Sequence, residues 1–232
     1  MADKYSAVVL AAGSGKRMGL DVKKQYMEMF GKPLLFYTLE AFEKSDVDEI
    51  IVVTAAEDVS YVKEEIIEHF GFQKVSSITI GGKERYHSVY EGLKKCSGDY
   101  VLIHDGARAF VTEEIISRAM EGAKKYKAAV VGMPSKDTVK ISDDDGFVLE
   151  TPDRSNVWVI QTPQAFELQL VKKAYEDILK GDTTGVTDDA MVVEKMTDQK
   201  VKFIEGSYDN IKVTTKEDIF VGENILKKQN RC

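Results

Sequence analysis

Short apolar runs rich in β-branched residues alternate along this chain with longer amphipathic stretches, and that rhythm constrains the fold more than any other feature. Residues 7–12, 50–54, 75–80, 100–104 and 128–133 read as strands. Between them, 33–44, 57–70, 85–95 and 113–127 read as helices; in the second, Val59, Val62, Ile66, Ile67 and Phe70 recur at helical spacing. Such alternation implies βαβ units, and hence an α/β fold with a Rossmann-like, mostly parallel sheet and helices on both faces. Ligands of these sheets bind beyond the carboxyl ends of the strands, so a motif that directly follows a strand takes priority.

Further along, 157–161 reads as a strand, 166–179 as a helix and 188–195 as a shorter helix. Residues 201–205 and 211–214 are strand-like, and a last helix starts with Thr215 as its cap and Asp218 at capping-box spacing. Repeats, low-complexity tracts and linkers are absent from the sequence, so 1–232 reads as one domain. The rhythm breaks at about 137–157. Two short strand-like pieces, 138–141 and 147–150, flank Ser142-Asp143-Asp144-Asp145-Gly146, whose Asp-Gly is a hairpin signal. An isolated hairpin is marginal in water. This β-arm is therefore expected to project and pack on a partner; the alternative is a surface hairpin lying on its own domain.

A chain of 232 residues, 43% hydrophobic and 31% charged, can bury one sizeable core. Residues 1–5 are polar, and the first apolar run falls far short of the roughly 20 residues that span a bilayer. The expectation is a cytoplasmic protein with no membrane partner. Cys96 and Cys232 are isolated, and His69, His87 and His104 are unclustered, so neither type shows metal-ligand spacing. A net charge of −7 argues against nonspecific nucleic-acid binding. An anionic substrate would instead need a local basic cluster.

That cluster follows the first strand: Leu10-Ala11-Ala12-Gly13-Ser14-Gly15-Lys16-Arg17-Met18. Small residues let the backbone approach a ligand, and successive N–H groups can cradle phosphate oxygens. The loop lacks the Gly-Lys-Ser/Thr ending of a Walker A motif and the third glycine of the dinucleotide fingerprint. Lys23-Lys24-Gln25-Tyr26 follows closely, and one of its lysines could reach triphosphate oxygens.

With Gly31-Lys32-Pro33-Leu34, these motifs resemble the start of sugar-phosphate nucleotidyltransferases. Gly81-Gly82-Lys83-Glu84-Arg85-Tyr86-His87-Ser88, His104-Asp105-Gly106-Ala107-Arg108 and Lys136-Asp137-Thr138-Val139-Lys140 narrow the likeness. So do Gln161-Thr162-Pro163-Gln164, Thr187-Asp188-Asp189-Ala190 and Asp209-Asn210-Ile211-Lys212. Taken in order along nearly the whole chain, they resemble the 2-C-methyl-D-erythritol 4-phosphate cytidylyltransferases of the non-mevalonate isoprenoid pathway. The chain departs from that family's usual pattern at Lys23, where Pro is usual, and at Gly106 and Ala109, where Ala and Pro are.

The resemblance implies transfer of CMP from CTP to methylerythritol phosphate, with release of pyrophosphate. It implies that Ala11, Ala12, Gly13, Ser14 and Gly15 wrap the triphosphate, and that Arg17, Lys24 and Lys212 are catalytic. Gly81, Gly82, Lys83 and Ser88 would recognise cytosine. Asp105, with Asp209 as a second carboxylate, would hold Mg²⁺. Arg108, Thr138, Arg154, Thr162 and Thr187 would bind the acceptor phosphate, Arg154 across a homodimer that exchanges arms. Two alternatives stand beside this reading: a ribitol-5-phosphate cytidylyltransferase, and a non-catalytic nucleotide-binding protein on the same fold.

Overall fold

The structure is a computed structural model that describes residues 2–13 and 23–232. Its sheet starts with β1 (Tyr5–Ala11), buried along nearly its whole length. A small antiparallel pair, β2 (Glu28–Met29) and β3 (Lys32–Pro33), turns at Phe30 and Gly31, both at positive φ. Then come α1 (Leu34–Lys44), β4 (Glu49–Thr54) and β5 (Val75–Ile80). The first half closes with α3 (Arg85–Leu93), β6 (Tyr100–Asp105), α4 (Glu113–Tyr126) and β7 (Ala128–Pro134).

The segment expected as one helix over 57–70 is not a regular α-helix. It opens as a 3₁₀ turn at Ala56–Asp58, makes one α-turn, α2 (Val59–Tyr61), and continues as a π-helix over Val62–Glu68. The apolar spacing survives the change of pitch: Val62 and Ile66 are fully buried.

The sheet has seven strands, in the order β11-β7-β10-β6-β1-β4-β5, where β10 is Trp158–Glu167 and β11 is Lys202–Glu205. All neighbours run parallel except β10, which is antiparallel to both β6 and β7. Helices cover both faces. Ala7, Val9 and Ala11 face a layer with Leu35, Leu39 and Ile116, whereas Val8 faces Val89, Leu93 and Val171. That split is the period of two expected of a strand buried on both sides.

Two expectations change here. The strand over 157–161 and the helix from 166 meet in one strand: β10 runs through Pro163, its register shifting between Ile160 and Gln164, where the Thr162–Pro163 peptide is cis. Proline has no N–H for the ladder, so an irregularity of this kind is where a strand can hold one. The following helix, α5 (Leu168–Ile178), accordingly starts later than expected. Residues 211–214 form no strand. Val213 gives its N–H to the Ala107 carbonyl at 2.9 Å, one bond where a ladder would have several.

The last helices are α6 (Asp189–Met196) and α7 (Glu217–Lys228). Before α7, the Asp218 carboxylate accepts the Thr214 and Thr215 N–H groups at 2.7 and 2.8 Å, the carboxylate half of the expected capping box. The arm is a hairpin of β8 (Ile141–Ser142) and β9 (Val148–Glu150), shorter than its sequence runs. Asp143 accepts the Asp145 and Phe147 N–H groups and sets the turn. Phe147 is 72% exposed and Leu149 67%. Among the described residues, no helix is long and apolar enough to cross a membrane.

Candidate active site

The carboxyl ends of β1 and β6 and the turn after β5 open on one cavity of about 380 Å³. Ala11, Ala12 and Gly13 form one wall, Lys24 and Gln25 a second, Gly82, Lys83 and Ser88 a third. Asp105 and Lys212 close the floor. The topology explains the convergence, since parallel strands flanking a central strand deliver their loops to the same edge.

The first wall is fixed by its carbonyls. Gly106 donates its N–H to Leu10 O at 2.8 Å. Gln25 Nε2 donates to Ala11 O at 2.7 Å and to Gly13 O at 3.0 Å. The third wall depends on glycine. A Cβ at Gly81 would come within 2.6 Å of Ala12 Cβ, and one at Gly82 within 2.4 Å of His87 Cβ. The Gly82 N–H donates to Ser88 Oγ at 3.1 Å, so the hydroxyl shapes the turn.

The charges are paired in a ladder. Lys212 Nζ lies 2.6 Å from Asp105 Oδ2, and Arg85 Nε lies 3.3 Å from Asp105 Oδ1. The same guanidinium grips Asp189 with two bonds of 2.8 Å. Asp189, fully buried, also accepts the Tyr175 hydroxyl at 2.6 Å. Burial alone would raise the Asp105 carboxyl, but Arg85 and Lys212 outweigh it and hold it well below the usual carboxylate range. Burial likewise opposes the Arg85 charge, and Asp189 and Asp105 more than restore it.

Behind Asp105 runs a neutral relay. The Asp105 N–H donates to Thr162 Oγ1 at 3.1 Å. Thr162 Oγ1 sits 3.0 Å from His104 Nδ1, and His104 Nε2 sits 3.2 Å from the Arg108 carbonyl. A carbonyl can only accept, so Nε2 carries the proton and Nδ1 accepts from the hydroxyl. Burial pushes the imidazole down to about 4, which keeps it neutral.

Asp209 apart, the expected site residues divide into four groups. Ala11, Ala12, Gly13, Lys24, Gly82, Lys83, Ser88, Asp105 and Lys212 all line the cavity, and Gly81 sits behind it against Ala12. Ser14, Gly15 and Arg17 lie outside the described residues. Arg108 and Thr162 do not line the cavity: Arg108 donates to the Asn210 carbonyl at 2.8 Å, and Thr162 belongs to the relay. Thr138, Arg154 and Thr187 are exposed and do not line it either. Arg154 borders a separate cavity of about 600 Å³ with Lys136 and Ser135, and donates to the Lys136 carbonyl at 3.2 Å.

Asp209 does not reach the cavity lining, and no group of three or more His, Cys, Asp or Glu capable of holding a metal occurs among the described residues. The lysine pair is also resolved: Lys23 bonds Glu57 at 2.6 Å and Asp58 at 2.7 Å, leaving Lys24 at the cavity. Arg85, Asp189 and Gln25 belong to the site without a sequence signal of that role: Arg85 and Asp189 meet across 104 residues, and Gln25 acts on two main-chain carbonyls.

Comparison with known proteins gives the family. Residues 5–228 match the family model of IspD, 2-C-methyl-D-erythritol 4-phosphate cytidylyltransferase. The chain belongs to this family. A relative of that name from Lachnoclostridium phytofermentans is 48% identical over 227 residues, covering 97% of each chain. Another, from Caldanaerobacter subterraneus subsp. tengcongensis, is 48% identical over 226 residues, 96% of this chain and 99% of its own. The crystal structure of 4-diphosphocytidyl-2C-methyl-D-erythritol synthase from Anaerococcus prevotii superposes with a TM-score of 0.86 at 38% identity, covering 97% of this chain and 96% of that one.

Gly106 sits at a turn too tight for a side chain. A Cβ there would stand 2.9 Å from Leu10 O and 3.2 Å from Leu35 Cδ1, so glycine matches the close approach of this turn to β1.

Proposed function

We propose that this chain transfers CMP from CTP to 2-C-methyl-D-erythritol 4-phosphate, forming 4-diphosphocytidyl-2-C-methyl-D-erythritol and pyrophosphate in isoprenoid biosynthesis. The observation that carries the reading is the cavity itself, which gathers Lys24 and Lys212 from opposite ends of the chain around the β1 turn and Asp105. The full-length family match supports the choice of substrates. The enzyme works in the cytoplasm, where CTP is available.

The attacking group is an oxygen of the acceptor phosphate. A phosphomonoester carries close to two negative charges at neutral pH, so it needs no general base. The bond formed joins that oxygen to the α-phosphorus of CTP; the bond broken frees pyrophosphate. The protein's task is to align two anions and neutralise the charge between them. Ala11, Ala12 and Gly13, with Ser14 and Gly15, hold the triphosphate. Lys24 and Arg17 neutralise the leaving pyrophosphate. Lys212 serves the α-phosphate, and Gly81, Gly82, Lys83 and Ser88 bind cytosine.

We assign Mg²⁺ to Asp105, a single carboxylate at the cavity, which suits an ion that takes one or two carboxylates plus phosphate oxygens. Bound there, Mg²⁺ would draw the triphosphate charge towards the protein. Asp105 already carries Lys212 and Arg85 on its two oxygens, so the lysine must turn to the nucleotide to make room. Arg108 and Thr162 position Asp105 from behind. Thr138, Thr187 and the arm's Arg154 take the acceptor phosphate, Arg154 from a second subunit of a homodimer; arginine suits bidentate phosphate recognition. Exposed Phe147 and Leu149 on the arm support a partner surface.

The test is pyrophosphate release from CTP with methylerythritol phosphate and, separately, ribitol 5-phosphate. Faster turnover with the first is expected; preference for the second would replace the acceptor, and CTP binding without turnover on either would remove the enzyme. Lys24→Ala should lower kcat by about 10²–10³, the usual loss of one preorganised charge contact. Near-wild-type turnover of a folded Lys24→Ala chain would overturn its role.

A further inference from the structure

We infer that Gln25 is the positioning residue of the triphosphate turn: its amide holds the Ala11 and Gly13 carbonyls away from the phosphates. The inference rests on the CTP reading above. Gln25 is only 2% exposed yet lines the cavity. Its Nε2 is the donor to both Ala11 O, at 2.7 Å, and Gly13 O, at 3.0 Å. Two carbonyl acceptors can only be served by the NH₂ end, so the amide orientation is fixed by chemistry. Its Oε1 has no partner among the described residues.

The physical consequence follows from the planar trans peptide, whose C=O and N–H point in opposite directions. Turning the Ala11 carbonyl onto Gln25 turns the Ala12 N–H away from Gln25, where it can donate to an anion. Without the amide, two carbonyl oxygens would keep free lone pairs beside a polyphosphate that they repel. Gly106 does the same for Leu10 O, at 2.8 Å. The end of β1 and the turn after it thus have the Leu10, Ala11 and Gly13 carbonyls occupied by the protein, which favours the N–H groups as the face to a ligand. A purely structural glutamine would be indifferent to which nucleotide binds. This one bonds only the carbonyls of the proposed triphosphate wall and none of Gly82, Lys83 or Ser88, the residues proposed for cytosine, so it should act on the β- and γ-phosphates and not on the base.

The experiment is calorimetric titration of the full chain with CTP and with CMP, each in Mg²⁺, for wild type, Gln25→Met and Gln25→Glu. Methionine keeps the volume without the donors; glutamate keeps the shape and can only accept. Wild type should prefer CTP. Each variant should lose about ten-fold or more in CTP affinity, the worth of a hydrogen bond or two at a charged ligand, and keep its CMP affinity within about two-fold. Melting curves and the CMP titration report folding, and either variant alone suffices. Equal loss for CTP and CMP, or no loss for either, overturns the role of Gln25. A wild type that binds CTP no better than CMP overturns the triphosphate reading, and the Gln25 inference with it.

Discussion

His104 and Cys96 show what burial does to a titratable group when desolvation outweighs its opposite-charged neighbour, Asp105 for His104 and Lys172 for Cys96. His104 is completely buried and neutral, pushed from 6.5 down to about 4. An unfolded chain takes up that proton at about pH 6.5; the folded chain resists until about pH 4. The unfolded state therefore binds more protons across this window, and stability falls as pH drops through it, by about 3 kcal/mol in all. The lowered carboxylates Glu40, Glu49 and Asp105 add their own loss only below their ordinary 4.5 and 3.8. Urea unfolding as a function of pH should show the His104 slope in wild type and a flatter one in His104→Gln. Parallel slopes would refute the assignment. Cys96 has its thiol pushed up to about 12, by burial first and then by Glu49. Thiolate is the reactive form. In the native protein at mildly alkaline pH, a thiol reagent should label exposed Cys232 alone, and both cysteines after unfolding. Rapid labelling of half-buried Cys96 in the native state would contradict the upward shift of its thiol.

Elements meet at the Arg85 ladder, which ties α3 to β6 through Asp105, to α6 through Asp189 and to α5 through Tyr175. Breaking a buried pair leaves one charge uncompensated, typically at a cost of about 3–5 kcal/mol. Asp189→Leu should show that loss in urea unfolding. Arg85→Met combined with Asp189→Leu should regain much of it, since an apolar pair of similar volume is often as stable. Activity should not return in the double variant, because Asp105 loses its Arg85 contact. A double variant as unstable as Asp189→Leu would mean that the ladder contributes more than the pairing of two charges. None of this was legible in the sequence, where Arg85 and Asp189 look like ordinary surface charges. What was legible is local. The runs that became β1, β4, β6 and β7 are apolar enough to need burial on both faces, whereas β5, with its serines, lies half-exposed at the sheet edge. The direction of β10 is decided by its neighbours, not by its own residues, so alternation alone implied a parallel strand. Residues 157–161 and 166–179 read as two elements, whereas β10 joins them through Pro163; the register shift that admits the proline is a property of the β10–β7 pairing and not of local sequence. Residues 211–214 have enough β-branched side chains, Ile211, Val213 and Thr214, to pass for a strand, but their packing beside Ala107 offers a single ladder bond.

At the scale of the whole molecule, the unresolved charge is Arg154. It lies at the base of the arm, outside the cavity that holds Lys24, Asp105 and Lys212, beside a separate opening shared with Lys136. The hairpin next to it presents Phe147, Val148 and Leu149 to solvent, an apolar edge that a small two-stranded arm has no means of burying by itself. The arm exchange proposed above would account for both facts at once, by covering the apolar edge and carrying the guanidinium to the partner's cavity. Subunit complementation separates this from a monomer whose arm folds back. Arg154→Ala and Lys24→Ala chains, each inactive alone, are unfolded together and reassociated in equal amounts. In an exchanged dimer, the hybrid has one site with both residues intact and one with neither. Random pairing makes half of the dimers hybrids, so about one quarter of wild-type activity should return. If each chain supplies its own Arg154, every site in the mixture lacks one residue or the other, and activity stays at the level of the inactive parents.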